Sequence, residues 1–140
     1  MQFKMTLTIT CAIGFVISIG MFVFPEFVTR EQFSLSEGQG FEDLVTLRYA
    51  IASLILALAV ITFHLREVEG ILFQLNIMRG YWIAFSIICI TNIVLQLLGK
   101  ISAIPPTIAT AIIVLLSFLS WLNLSKALSL IHISEPTRLI

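Results

Sequence analysis

Four long apolar stretches constrain this chain more than any other feature of its sequence. They cover about residues 5–24, 44–64, 79–98 and 106–124, and each approaches the roughly 20 residues that a helix needs to cross a bilayer. Backbone groups left unpaired in hydrocarbon are so unfavourable that stretches of this length must be helical. The sequence therefore predicts an all-α polytopic membrane protein, folded as an antiparallel bundle of four transmembrane helices.

The composition favours a bilayer as the solvent of these helices. Of the 140 residues, 59% are hydrophobic and 11% are charged, whereas soluble domains are about half apolar and about a quarter charged. A soluble fold of this size could not bury so much apolar surface. We expect one domain, residues 1–127, and we interpret its first stretch as a retained helix because no A-x-A-like cleavage site follows it.

The connections between the stretches differ in length and charge. Residues Pro25 to Asp43 form the longest predicted loop, which is rich in acidic residues, and the third stretch is open to an earlier start, because residues 71–78 are also mostly apolar. Positive residues in short loops tend to face the cytoplasm. A cytoplasmic N-terminus puts Lys4, Arg66, Arg79 and Lys126 inside and Arg30, Arg48 and Lys100 outside, so we expect both ends of residues 1–127 to be cytoplasmic.

Charged and metal-binding side chains are scarce in the apolar stretches. These stretches hold no Asp, Glu, Lys or Arg beyond Arg48 and Arg79 at the openings of the second and third, although ionisable groups within the membrane are the usual mark of a transport or catalytic site. Cys11 and Cys89 have no metal-type spacing, and His64 stands at a helix end. We therefore predict no catalytic, cofactor or metal site and no enzymatic activity. The net charge of zero also does not favour a nucleic-acid partner.

Neutral polar residues cluster on the third stretch, at Thr91, Asn92 and Gln96. Such groups commonly form hydrogen bonds between membrane helices, which is the interpretation we favour; lining a ligand site is the alternative. Small residues that allow close helix approach recur one turn apart, as Gly14 with Ser18 and Ser53 with Ala57.

One charge pair is predicted at the opening of the second stretch. Glu26 follows the first helix and Arg48 opens the second, so an antiparallel arrangement places both near the same membrane face. Burying Arg48 unpaired is unfavourable, and we expect a carboxylate partner, Glu26 first and Asp43 or Glu42 second. The alternative is an arginine that extends to the lipid headgroups.

The arrangement of these motifs resembles a known family. A first helix ends in Phe24-Pro25-Glu26, the second opens with Leu47-Arg48-Tyr49, and the fourth starts with a proline. Over about residues 6–124 this is similar to the bacterial four-helix membrane family numbered four-three-four-five among the domains of unknown function. The chain differs from that family in having Asn92 where a basic residue is expected. The resemblance implies a bacterial inner-membrane fold and no particular activity.

The last residues have a different origin in our interpretation. Residues 128–138 read LSLIHISEPTR, which resembles the in-frame translation of a transposase-based sequencing-library adaptor. We expect residues 128–140 to be absent from the natural gene, whose own sequence would continue after about Ala127. Sequence artefacts are excluded from fold reasoning, so His132, Glu135 and Arg138 carry no functional weight.

Two classes of function remain after these exclusions. The first is a non-enzymatic structural, accessory or partner-binding membrane subunit, with the lipid bilayer and other membrane proteins, or further copies of the chain, as its partners. The second is a small transporter or channel component for a neutral or lipophilic solute. Polar residues that converge on one cavity would favour the second class, whereas polar residues that each bond a neighbouring helix would favour the first.

Overall fold

Five α-helices make up the part of the chain that the computed structural model describes, residues 3–33 and 38–134. They are α1 (Phe3–Val23), α2 (Pro25–Gln32), α3 (Gln39–Leu65), α4 (Ile71–Leu97) and α5 (Pro105–Ser134). All except α2 are long and apolar enough to cross a membrane. The predicted all-α fold with four transmembrane helices is confirmed, and the chain is a multi-pass membrane protein.

The helix boundaries differ from the predicted ones mainly in the first connection. Residues 25–43 were expected to form a loop, yet they contain α2 and the start of α3. Pro25 occupies the first turn of α2, where its missing N–H has no partner to lose, and Glu26 and Arg30 lie at the helix ends that favour their charges. This helix was missed because its polar residues resemble those of a loop.

The remaining helices are longer than the apolar stretches that predict them. α4 begins at Ile71, the earlier of the two predicted starts, directly after Gly70, whose φ is 91°. It ends in a Schellman motif, in which Gly99 N–H donates to Gln96 O and Lys100 N–H to Leu95 O. α5 continues to Ser134, so the adaptor-like residues 128–134 extend this helix, while residues 135–140 lie outside the described chain.

The four long helices form two antiparallel pairs, α1 with α3 and α4 with α5, and α1 also contacts α5. The pairs meet at the end of the bundle where α1 begins. There Phe3 and Leu7 of α1 and Met78 of α4 are buried together, with Trp121 and Leu124 of α5 packed against them. The short helix α2 lies at the opposite end and contacts α1 and α3.

Small residues bring α1 and α3 close together. A Cβ atom added at Gly14 would lie 3.1 Å from the Cβ of Ala59, and the buried Ser18 hydroxyl donates to Ala52 O at 2.9 Å. The predicted role of Gly14 and Ser18 in close approach agrees with these contacts. On α3, however, the buried small residues are Ala52 and Ala59, and Ser53 and Ala57 are exposed. Either set has helical spacing, so the sequence could not decide which face of α3 meets α1.

Candidate functional site

A buried arginine on α3 is the centre of the candidate site. Arg48 is 4% exposed and is the one charged side chain in the buried part of the described chain. It lies in the helix segment that is apolar enough to span the membrane. Burial of a cation in such a segment is unfavourable unless other groups solvate it, so its contacts define the chemistry of the site.

The short helix α2 and Phe33, the residue that follows it, cover Arg48 with a hydroxyl group and an aromatic ring. Thr29 is fully buried, and its hydroxyl donates to Pro25 O at 2.7 Å. That bond uses the only proton of the hydroxyl, so its oxygen accepts from Arg48 Nε at 3.3 Å. The Arg48 guanidinium also lies over the Phe33 ring, 5.5 Å from its centroid. α2 therefore supplies neutral rather than acidic contacts.

The acidic residues predicted to pair with Arg48 lie on the same side of the bundle. Glu26 on α2 and Glu42 and Asp43 at the start of α3 are exposed. Lys4 Nζ and Glu67 Oε2 form an ion pair at 3.4 Å at the other end of the molecule. The structure places Glu26 near the arginine-bearing end of α3 without an ion pair between Glu26 and Arg48, and Arg48 Nε donates to the Thr29 hydroxyl instead.

The second predicted site, Thr91, Asn92 and Gln96, does not form one cluster. Thr91 is exposed and donates to Ile87 O of its own helix at 2.8 Å. Gln96 Nε2 instead donates to Ala103 O at 2.6 Å and to Thr107 Oγ1 at 2.9 Å. Asn92 is half-buried and takes part in neither interaction. Gln96 therefore acts as an interhelical polar contact between α4 and the start of α5.

A further polar contact joins α3 to α4 inside the bundle. The Thr62 hydroxyl donates to Leu58 O at 2.7 Å and lies 2.6 Å from the Tyr81 hydroxyl. Since Thr62 has a single proton, Tyr81 is the donor in the second bond. No sequence pattern indicates that Tyr81 and Thr62 are partners.

Four other buried hydroxyl groups have no hydrogen-bond partner among the described residues. They belong to Thr6 and Thr10 on α1 and to Ser117 and Ser120 on α5. Leu124 packs against Phe3 and Leu7, and the antiparallel course of α1 and α5 places Ser117 and Ser120 at about the level of Thr10 and Leu7. No sequence pattern joins these serines to Thr6 and Thr10, because no polar cluster stands out on the first helix.

An opening of 310 Å³ lies between α1 and the first turns of α5. Its lining is apolar: Ile13, Ile104, Pro105, Ile108, Ala109 and Ile112. None of Thr91, Asn92 and Gln96 borders it, so the predicted polar residues and this opening are separate features. In the part of the chain that the structure describes, no three His, Cys, Asp or Glu side chains are grouped as metal ligands would be.

Comparisons with protein-family profiles, with curated proteins and with solved structures find no match to this chain. The resemblance to the bacterial four-helix family therefore stays a prediction.

Proposed function

We propose that this protein is a non-enzymatic accessory or partner-binding subunit of a bacterial inner membrane. The observation that carries the proposal is that polar side chains on α4 form hydrogen bonds with neighbouring segments of the bundle. Gln96 bonds to Ala103 and Thr107 across the α4–α5 connection, and Tyr81 bonds to Thr62 on α3. Polar side chains that join helices in this way stabilise a membrane fold, and Thr91, Asn92 and Gln96 do not line the opening between α1 and α5.

The outer surface is the part of the molecule left for an interaction. Large apolar side chains cover the outward faces of α3 and α4, among them Leu54, Leu58, Ile87 and Ile90. Lipid covers such faces in isolation, and another apolar helix can replace that lipid through close packing. A subunit that binds a neighbouring membrane helix needs only such an apolar face.

A transporter of lipophilic solutes is the second candidate, and one observation favours it. The opening beside Ile13 and Ile108 is apolar and has a volume of 310 Å³, which is within the lower range of ligand pockets. Its position between α1 and α5 would suit an uncharged, poorly water-soluble molecule.

A flux assay on reconstituted protein separates the two candidates. We expect liposomes that contain the protein to take up neutral and lipophilic solutes no faster than protein-free liposomes. Replacement of Gln96 by Leu should lower thermal stability without creating or abolishing flux, because this residue joins helices. Thr91→Val on the exposed face of α4 is the matched control and should change neither. Saturable uptake that is lost in Ile108→Trp but kept in Thr91→Val would support the transporter instead.

Site-specific photocrosslinking in native membranes tests the partner directly. A photoreactive residue at Leu58 or Ile90 faces outward, whereas one at Ala52 is buried between helices and serves as the control. We expect one discrete protein adduct from at least one outward position and none from Ala52. Adducts with lipid alone at outward positions on both helices would contradict the partner-binding role.

A further inference from the structure

Buried polar atoms without a hydrogen-bond partner are concentrated in one layer of the bundle. In the part of the chain that the structure describes, they belong to Thr6, Thr10, Trp82, Ser117, Ser120 and Trp121. Unsatisfied polar groups are unfavourable in an apolar interior. We propose that the α1–α3 pair and the α4–α5 pair separate at this layer and admit water from the end where α1 begins. This motion follows from the fold and does not depend on the accessory role proposed above.

Contacts between three helices place these polar groups at one level of the bundle. The ring centroids of Trp82 on α4 and Trp121 on α5 lie 6.0 Å apart. Trp121 also packs against the buried cluster of Phe3, Leu7 and Met78, so the layer borders α1. The two threonines lie within one turn of Leu7 on α1, and the two serines lie within about one turn of Trp121 on α5. Hydroxyl and indole N–H groups of α1, α4 and α5 therefore share this layer.

The layer lies on the boundary between the two helix pairs, where the helices are packed less closely than they are within each pair. α1 packs mainly on α3 and α5 mainly on α4, whereas α1 and α5 share a smaller contact. Within the α1–α3 pair, the buried Ser18 hydroxyl has a partner in Ala52 O. Between the pairs, the hydroxyl groups have none, and the apolar opening of 310 Å³ separates α1 from the first turns of α5. Separation at this boundary therefore breaks few favourable contacts.

Water is close to the layer at the end where α1 begins. Thr6 lies only about 5 Å along the helix axis from Phe3, the first residue of α1. The exposed ion pair of Lys4 with Glu67 lies at the same end, and the apolar cluster around Met78 covers the layer. Water suits the polar groups beneath this cluster, because hydroxyl groups donate and accept hydrogen bonds and indole N–H groups donate them.

Hydrogen bonds at the α2 end hold the two pairs together while the other end opens. The Ser102 N–H in the α4–α5 connection donates to Gln32 O at 3.1 Å, and its hydroxyl donates to Glu31 O at 2.7 Å. These bonds fasten the α4–α5 pair to the C-terminal end of α2. Near the layer, the bond from Tyr81 to Thr62 joins α4 to α3 and favours the closed arrangement. The position of the layer therefore corresponds to an opening with its hinge at the α2 end.

The thiol reactivity of two buried positions tests the separation in the full chain, reconstituted in lipid nanodiscs. The background has Cys11 and Cys89 replaced by alanine. Ser117 and Ser18 are both 0% exposed, but Ser117 lies in the layer and Ser18 lies within the α1–α3 pair. We expect a charged, water-soluble methanethiosulfonate to modify Ser117→Cys about tenfold faster than Ser18→Cys or more, because transient opening exposes only the first. Equal rates would overturn the proposal.

Substitutions of the neighbouring hydroxyl groups test the cause of the opening. Thr6→Val and Thr10→Val remove groups that gain a hydrogen-bond partner only when water enters. In this background, Ser117→Cys should react about fivefold more slowly or less. Tyr81→Phe removes a bond that favours closure and should speed the reaction, whereas Thr91→Val on the exposed face of α4 is the control and should not change it. An unchanged rate in the double valine variant would contradict the role of the layer.

Hydroxyl-radical footprinting of the wild-type protein tests the same motion without any substitution. Met78, beside the layer, is 0% exposed, whereas Met21, on α1 outside the layer, is 9% exposed. The closed arrangement by itself predicts faster oxidation of Met21. Water entry at the layer reverses this order, so we expect the Met78 sulfur to be oxidised about threefold faster than that of Met21 or more. Faster oxidation of Met21 would overturn the proposal, even if the cysteine variants fail to fold.

Discussion

At the scale of single residues, the hydrogen bond from Tyr81 to Thr62 is the clearest link between the two helix pairs. The oxygens are 2.6 Å apart and the bond is partly buried, so its loss leaves a Thr62 lone pair without a donor. We expect Tyr81→Phe to lower the free energy of unfolding by about 0.6 kcal/mol and at most about 1.7 kcal/mol, as for other interhelical bonds in membranes. Tyr49→Phe, at an exposed position beside Phe22, is the control. Equal thermal shifts of the two variants in detergent would contradict the role of the bond.

A second prediction concerns the hydroxyl groups on α1. Two substitutions on this helix should change the free energy of unfolding in opposite directions. Thr10 is buried without a hydrogen-bond partner among the described residues, so Thr10→Val keeps the shape and removes an unsatisfied group. We expect this variant to be more stable by about 1 kcal/mol. Ser18→Ala removes a hydroxyl that donates to Ala52 O, and it should be less stable by about 0.6 kcal/mol. Destabilisation by both changes, measured by thermal unfolding, would mean that bound water satisfies Thr10.

At the scale of helices, the close contact of α1 with α3 depends on a missing side chain. A Cβ atom at Gly14 would lie 3.1 Å from Ala59 Cβ, whereas nothing lies within 4 Å of a Cβ atom at Gly20 on the same helix. We expect Gly14→Val to lower the free energy of unfolding by about 1–3 kcal/mol through overpacking. Gly20→Ala should be neutral or stabilising by up to about 1 kcal/mol, because alanine favours a helix. If Gly14→Val unfolds at the same temperature as Gly20→Ala, the helices are not packed in this way.

At the scale of the whole molecule, four membrane-spanning helices place the two ends of the bundle on opposite sides of the membrane. We expect the end with α2 to face outward, as the distribution of Lys and Arg indicates. The test uses a chain in which Cys11 and Cys89 are replaced by alanine. In cells with a permeabilised outer membrane and an intact inner membrane, Glu31→Cys should react with a membrane-impermeant maleimide. Glu69→Cys, exposed in the α3–α4 connection, should react only after the inner face is opened. The reverse pattern would invert the orientation.

The adaptor-like residues also belong to this scale, because they prolong the last helix. We predict that a genomic clone sequenced across the codon of Ala127 encodes residues other than LSLIHISEPTR after it. A clone that encodes this segment would contradict the prediction directly. In that case the extension of α5 to Ser134 would be native structure.

The number and kind of the membrane-spanning helices follow from the sequence alone, since apolar stretches of about 20 residues satisfy their backbone groups in hydrocarbon as helices. The same pattern could not reveal α2, because a short polar helix is stabilised by its contacts with α1 and α3 and not by an apolar run. Nor could it assign partners to polar side chains. Thr91 and Gln96 are equally polar in the sequence, yet Thr91 bonds its own helix and Gln96 bonds the next segment.

The sequence by itself determined that Arg48 stands at the opening of a membrane helix and needs a polar partner. Only the tertiary structure decided what surrounds it, because the rotation of α3 about its axis and the placement of α2 depend on side-chain packing between helices. That packing buries Ala52 and Ala59 against α1 and turns Arg48 toward Thr29 and Phe33. In lipid, apolar faces of a helix are nearly equivalent, so close contacts such as that of Gly14 with Ala59 determine the rotation.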